Sequence, residues 1–490
     1  MASHEVLGNW LGLDIVKEFA KDSLGFLLYL QKNHGDLVSF KMGTDLFHLV
    51  SHPDGIKEVL VEHSKSFEKG KRDKVVMGRM LGKGLVTSDG DFHKKQRKLS
   101  QPAFRKKRIS LYAEAMSKQT NKMMSSWEEG QEVDIAQSMM ELTMYIVSEA
   151  LFNMDVTEEA KELGHTVEIL QDIAKQEFDA LFVLPRWLPT PTNLRGNKAA
   201  RFLQKKIQGM IDTRREEEKE GKWEDRGDLL SSLIQARDDD GSRMDDQQLI
   251  DELVTLFVAG HETTSNALSW TWYLLSKHPE VEEKLHEELD RVLQGRTPTF
   301  EDIKELTYTQ QVIKESMRIH PPVWILNSRL AKEDVHIQGK LVKKGSMVFV
   351  APYSLHKDER FYPNPDEFRP ERFTVENEKA RHRYAYLPFG AGPRVCIGNS
   401  FAMMEATLLL STIAQKYTLR LREGYQVEEL PQITMSPKDG LPMTLEKRIP
   451  SAATKAIPTN TTQGNTKEKA GGGCPFHNQD SPTQPSSNIS

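Results

Sequence analysis

The chain has 490 residues, 38% of them hydrophobic and 28% charged, with a net charge of −5. That length gives ample material for a large core, and the slight negative balance excludes a general polyanion-binding surface, so nucleic acid is not an expected partner. Two cysteines in the whole chain exclude a disulfide framework and point to a reducing compartment.

The first residues, MASHEVLGNWLGLDIVKEFAKDS, contain no apolar run of about 20 residues and no basic-then-apolar leader. A cytoplasmic protein without a membrane anchor is expected. Trp10 and the run Leu11 to Phe19 read as a short amphipathic helix packed on its own domain. Leu24–Lys32 reads as a helix. Leu37–Met42 and Leu46–Val50 read as a hairpin turning at Gly43-Thr44, and Pro53–His63 as a helix opened by proline. Phe67–Gly90 is mixed and glycine-containing. His93 to Lys98 is strongly basic, with His93 and Arg97 on one helix face.

Ile109–Glu128, Asp134–Leu151, Glu158–Leu184 and Ala199–Lys222 carry helical periodicity, so the middle of the chain is expected to be mainly α. Phe178, Leu181 and Phe182 precede a proline-rich connection, PRWLPTPTN. Asp245–Lys277 runs without proline and as a helix would span about 50 Å. His261, Glu262 and Asn266 in its middle exclude a membrane span. His261-Glu262 lacks the second histidine of a zinc protease helix, because position 265 is Ser265. Gly260 costs about 1 kcal/mol in a helix interior. It leaves room for a ligand, and the Thr263 hydroxyl can take the carbonyl of Ala259 and open the helix locally.

Glu315 and Arg318 share a helix face. Val342–Val350 and the region 433–443 read as β pieces. The stretch PFGAGPRVCIGNSFA surrounds Cys396 with Gly390, Gly392 and Gly398, and a helical run begins just after it. That position favours a thiolate, and Arg394 stands ready for an anionic group. Ser451–Ser490 lacks the large apolar residues of a core and reads as a disordered low-complexity tail holding Cys474 and His477. The expected organisation is one folded domain over 1–450 and this tail over 451–490.

Phe389, Gly392, Arg394, Cys396 and Gly398 fill the pattern F-x-x-G-x-R-x-C-x-G of the cytochrome P450 family. Ala259 to Thr264 resembles the oxygen-binding motif of that family, and Tyr362–Phe373, YPNPDEFRPERF, resembles the segment downstream of its Glu-x-x-Arg pair. Four motifs stand in the family's order, over roughly 20–450, and the chain resembles the soluble bacterial type without a fused reductase. The resemblance implies a mainly α fold with a small β-rich lobe. Haem b would lie between the long helix and the cysteine loop.

The resemblance also implies site roles. Cys396 is the thiolate ligand of the iron. Arg97, Arg329 and Arg394 hold the haem carboxylates, as does His93, which stands where the family usually has tryptophan. Phe389, Gly392 and Gly398 shape the loop, and Ala259 and Gly260 line the oxygen side. Glu262 and Thr263 manage protons. Arg372 completes a buried network with Glu315 and Arg318. Val75, Val76, Leu85, Val323, Ile325 and Met435 are candidate substrate contacts, and Phe178, Leu181 and Phe182 would belong to a mobile lid.

The implied reaction inserts one atom of O2 into a C–H bond of a small hydrophobic substrate. A fatty acid is the first candidate, with Lys41 or His48 as carboxylate anchors, and a terpenoid or steroid comes next. Electrons come from a separate flavodoxin, ferredoxin or diflavin reductase, docking on Lys94, Lys95 and Lys98, and a monomer is expected. Two other readings remain open: a peroxygenase fed by hydrogen peroxide, and a non-catalytic haem sensor of a small gas.

Overall fold

Asp245 starts the longest helix of the chain. Its carboxylate accepts the Gln248 N–H at 2.8 Å, while the Gln248 side chain accepts the Asp245 N–H at 3.2 Å, a reciprocal cap for two otherwise unpaired donors. The helix then runs unbroken over Asp246–Lys277. Most of its residues are buried on every side, among them Leu253, Phe257, Leu268, Trp270 and Trp272. A helix apolar all round belongs in the middle of a large core. It packs most heavily on Ile135–Phe152, and also meets Thr307–Ile319 and Asn399–Ala414.

This computed structural model describes residues 6–153, 158–180 and 183–448. The predicted tail, with Cys474 and His477, lies outside the described residues, as do Leu181 and Phe182 of the predicted lid. The described chain is mainly α-helical with a small β-rich lobe, as the sequence suggested. No helix among the described residues is long and apolar enough to cross a membrane.

The lobe is a six-stranded sheet. Its order is Val6–Leu7, Leu37–Met42, Asp45–Val50, Met347–Phe349, Arg329–Ala331 and Phe67–Lys69. The N-terminal hairpin forms with the predicted strands and turn, and Gly43 takes the positive φ of 64° that the tight turn needs. It then pairs in parallel, Phe47 opposite Met347. At the other edge Lys69 stands directly opposite Arg329. The mixed stretch after Phe67 holds a helix, Lys71–Leu81, hidden in the sequence by Gly70, Gly78 and Gly82. Its Val76, Met77, Met80 and Leu81 form one buried face.

The helix Thr307–Ile319 carries a network that fastens the core to the later chain. Arg318 donates to Glu315 through Nε at 2.7 Å and Nη2 at 2.8 Å, and the Arg372 Nε reaches the same carboxylate at 3.1 Å. The Arg369 N–H adds a fourth donor at 3.1 Å, and Arg318 also donates to the His356 carbonyl at 2.9 Å. Glu315 and Arg318 have no exposed surface. Removing the carboxylate strands two buried cations, which costs on the order of 3–5 kcal/mol. Glu315→Ala is therefore expected to lower the urea unfolding free energy by about that amount. A loss below about 1 kcal/mol would show that Arg318 and Arg372 find other partners.

Candidate active site

A cavity of about 330 Å³ opens between the middle of the long helix and the cysteine loop. Ala259, Gly260, Thr263 and Thr264 form one wall, and Pro388 to Ala391 and Arg394 to Gly398 with Phe401 the opposite one. His93 and Arg97 border it from the helix Gly90–Ser100, and Lys69 and Arg329 from the sheet edge. Leu85, Val86, Val147, Leu151, Val323 and Leu326 make the remainder apolar.

The cysteine loop is closed by the Cys396 N–H donating to the Phe389 carbonyl at 2.9 Å. Gly392 has φ 69°, and a Cβ there would run into the Leu60 carbonyl oxygen, so glycine alone fits. The Cys396 side chain has exposed surface, but that surface faces the cavity and the sulfur lies deep in the fold. Burial pushes its thiol up, opposed by the Gly398 N–H and the Arg97 charge. The thiolate expected from a helix N-terminus is outweighed by desolvation, because the helix starts only at Asn399. A coordinated metal ion reverses that balance and deprotonates a thiol.

Lys69, Arg97, Arg329 and Arg394 crowd the same end of the cavity, against two carboxylates, Asp73 and Asp89. Arg394 donates to the Ser88 carbonyl at 2.5 Å and pairs with Asp89, and Arg97 donates to the Val395 carbonyl at 2.7 Å. Arg329 donates to the Asn327 carbonyl at 2.6 Å, and burial with the nearby Arg394 brings it down to about 10. Burial, then Arg329 and Arg394, push Lys69 well down. Burial, then Arg394 and Arg97, bring His93 down to about 4. Like charges facing each other across two strands repel, so this end of the cavity calls for an anion. A thiol at one wall and surplus cations at one edge fit a flat metal cofactor carrying two carboxylates. Lys69 is the member that sequence reasoning missed; its place opposite Arg329 depends on a strand register unknown in advance.

On the long helix the Thr263 hydroxyl donates to the Ala259 carbonyl at 2.8 Å, as anticipated, yet the helix does not open. His261 is a core residue whose Nδ1 meets the Phe257 carbonyl at 2.8 Å. Glu262 does not reach the cavity wall. Its carboxylate accepts Gln171 Nε2 at 2.5 Å and Thr434 Oγ1 at 2.6 Å, and burial pushes it up. The sequence offered no sign of Gln171 or Thr434, which come from 91 residues before and 172 after. Glu405, on the helix that follows Cys396, is a second unforeseen acid. It has no exposed surface. The Thr264 hydroxyl favours its ionised form, but burial dominates and pushes it up to about 8.

Several predicted contacts fall elsewhere. Val75 is 48% exposed, Val76 packs away from the cavity, and Ile325 and Met435 belong to the core under the N-terminal sheet. Leu85 and Val323 do line the cavity. His48 is buried against Ser39, and neither it nor Lys41 borders the cavity, so neither can anchor a carboxylate there. Lys95 and Lys98 pair with Asp238 and Asp239, and Lys94 with Asp91, which neutralises the predicted docking face.

A family model described as Cytochrome P450 matches residues 2–442. Cyclooctatin synthase of Streptomyces melanosporofaciens is 38% identical over 85% of this chain and 90% of its own. Pentalenene oxygenase of Streptomyces avermitilis is 33% identical over 85% of this chain and 91% of its own. Among solved structures, the crystal structure of cytochrome P450DA heme domain superposes with a TM-score of 0.77 at 26% identity. It spans 87% of this chain and 93% of that one.

The cation cluster sets an acid limit on the cofactor-free protein. His93 sits near 4 when folded and near 6.5 when unfolded, so between those values only the unfolded chain binds the proton. Stability is lost as pH falls through that window, by about 2 kcal/mol from pH 7 to pH 5 for this one group. His93→Asn should remove that share of the loss when urea midpoints are compared at the two pH values. An identical loss in both proteins would show that His93 carries no such penalty.

Proposed function

The chain belongs to the cytochrome P450 family, and from that premise we propose that this haem-thiolate monooxygenase oxidises a compact, neutral, cyclic terpenoid. The cavity supports the reading. Every cation on its wall stands at one end, where cofactor carboxylates would take them, and the rest of the lining is uncharged and mostly apolar. A fatty acid would need a further cation beside the substrate space. The name of pentalenene oxygenase describes a substrate with no carboxylate.

In this reading Cys396 holds the iron through its sulfur. Lys69, Arg97, Arg329 and Arg394 hold the two carboxylates, and His93 donates a neutral N–H. Haem bound there supplies the redox centre at which O2 is reduced, and the reaction needs O2, a substrate and an external electron donor. The chain's own residues then control water and protons. Leu85, Val147, Leu151 and Val323 keep the substrate side dry. Gly260 leaves space beside the helix, and Thr263 presents a hydroxyl on the same wall, able to trade its bond to Ala259 for one into the cavity.

Burial pushes the Glu262 carboxyl up, opposed by the Thr434 hydroxyl. Its two oxygens accept from Gln171 and Thr434, so a path from Glu262 to the cavity opens only when one of those bonds yields. For the donor, a flavodoxin, ferredoxin or diflavin reductase, we favour docking at Arg105, Lys106 and Lys107. These three are exposed, and the short helix Lys106–Ile109 packs on the helix that follows Cys396. Two cysteines in the whole chain support the reducing cytoplasm as its compartment.

The reduced, CO-bound absorbance spectrum tests the ligand. Wild type is expected to give the thiolate-type band, and Cys396→His to lose it while still binding haem. A histidine-type band in fresh wild type would remove Cys396 from the role. For the substrate, cyclic terpenes such as pentalenene are expected to shift the spin state of the ferric protein at micromolar concentration, and saturated fatty acids to leave it unchanged. The reverse pattern would restore the fatty acid.

A further inference from the structure

The wall carrying Leu85 and Val86 is a loop without regular structure, Gly82 to Asp89, and the long helix grips it by its backbone. Asp251 accepts the Lys83 N–H at 2.7 Å. Glu252 accepts the Leu85 N–H at 3.1 Å. Thr255 offers its hydroxyl to the Leu81 carbonyl at 3.5 Å. Asp251 and Glu252 are 7% and 1% exposed, and Asp251 also accepts Gln247 Nε2 at 2.8 Å. The approach is so close that a Cβ on Gly82 would meet the Asp251 carboxylate, and one on Gly84 the Thr255 hydroxyl. Gly82 also has φ 58°. At its far end the loop is held by Arg394, through the Ser88 carbonyl and Asp89.

We propose that Asp251 and Glu252 are positioning residues for substrate selection: they hold Leu85 and Val86 at a fixed depth in the cavity and so set the size of ligand it accepts. The physical reason is the backbone. The Lys83 and Leu85 N–H groups have no partner within the loop, and a buried donor left unpaired costs about 1–3 kcal/mol. Carboxyl acceptors on a rigid, buried helix fix the loop more tightly than its own turn would. Thr263 stands on that same helix, so the oxygen side and the size-limiting wall move as one piece.

The inference rests on the cavity being the haem site, and the test separates the two. Imidazole and phenylimidazole titrations of the ferric holoenzyme serve as probes, because the first needs only the metal position and the second also needs the wall. In Glu252→Leu the phenylimidazole dissociation constant is expected to rise about tenfold, with imidazole within about twofold of wild type, whereas Glu252→Gln, which keeps an acceptor, should behave as wild type. Trypsin should also cleave Glu252→Leu faster at Lys83. Leu85→Ala shortens the wall directly and should weaken phenylimidazole alone, which covers the case of Glu252→Leu failing to fold. An unchanged ratio of the two constants in Leu85→Ala, or in a folded Glu252→Leu, overturns the inference. Failure of wild type to bind imidazole at all would instead overturn the haem reading beneath it.

Discussion

Lys69 facing Arg329 across two antiparallel strands, with Arg394 and Arg97 beside them, is an arrangement that the protein alone cannot balance. Asp73 and Asp89 answer only part of the charge, and burial weakens even that, since Asp73 is itself pushed up by desolvation. The sheet edge, the helix Gly90–Ser100 and the cysteine loop meet here through Asp89, Arg97 and Arg394, and an anion would complete the balance. Cofactor binding at this corner therefore adds to the stability of the folded chain, by the same linkage through which any ligand of the native state does.

The long helix supplies the frame for that corner. It is capped at Asp245, carries the two acids that hold the Leu85 loop, then Thr263, then the tryptophans that fill the lower core. Trp270 donates to the Met435 carbonyl at 3.0 Å and stacks on His320 with ring centroids 4.2 Å apart. His320 meets Glu429 at 2.6 Å. One element thus registers the C-terminal hairpin, the substrate loop and the oxygen side. Few of these contacts are local, and their precision comes from burial of a helix with almost no exposed face.

What the sequence revealed follows the same division. Periodicity located the helices and the first hairpin, because burial on one face leaves a spaced pattern. Short-range constraints also showed through: Gly392, Cys396 and Arg394 form a loop whose geometry is written within ten residues. Lys69, Gln171, Thr434 and Glu405 were invisible, since each matters through a partner tens or hundreds of residues away. Val75, Ile325 and Met435 failed for a related reason. An apolar residue near a site in sequence has two faces to choose from, and a half turn decides between cavity and core. The ion pairs of the predicted basic docking face were equally hidden, because charge runs do not announce their partners, here Asp91, Asp238 and Asp239.

The parallel pairing of Phe47 with Met347 has a temporal side. A ribosome adds about 5–20 residues per second, so the hairpin Leu37–Val50 waits roughly 15–60 seconds before its neighbour strand is made. Throughout that interval the edge Asp45–Val50 offers unpaired backbone to any passing strand. Meanwhile the N-terminal helix Ser23–His34 packs on the first strand of the hairpin. The six-stranded sheet thus cannot close until the strand Met347–Phe349 has emerged. Haem capture is later still, because the cysteine leaves the tunnel after that strand. Cells making this protein need the cofactor on hand at the end of translation, not at its start.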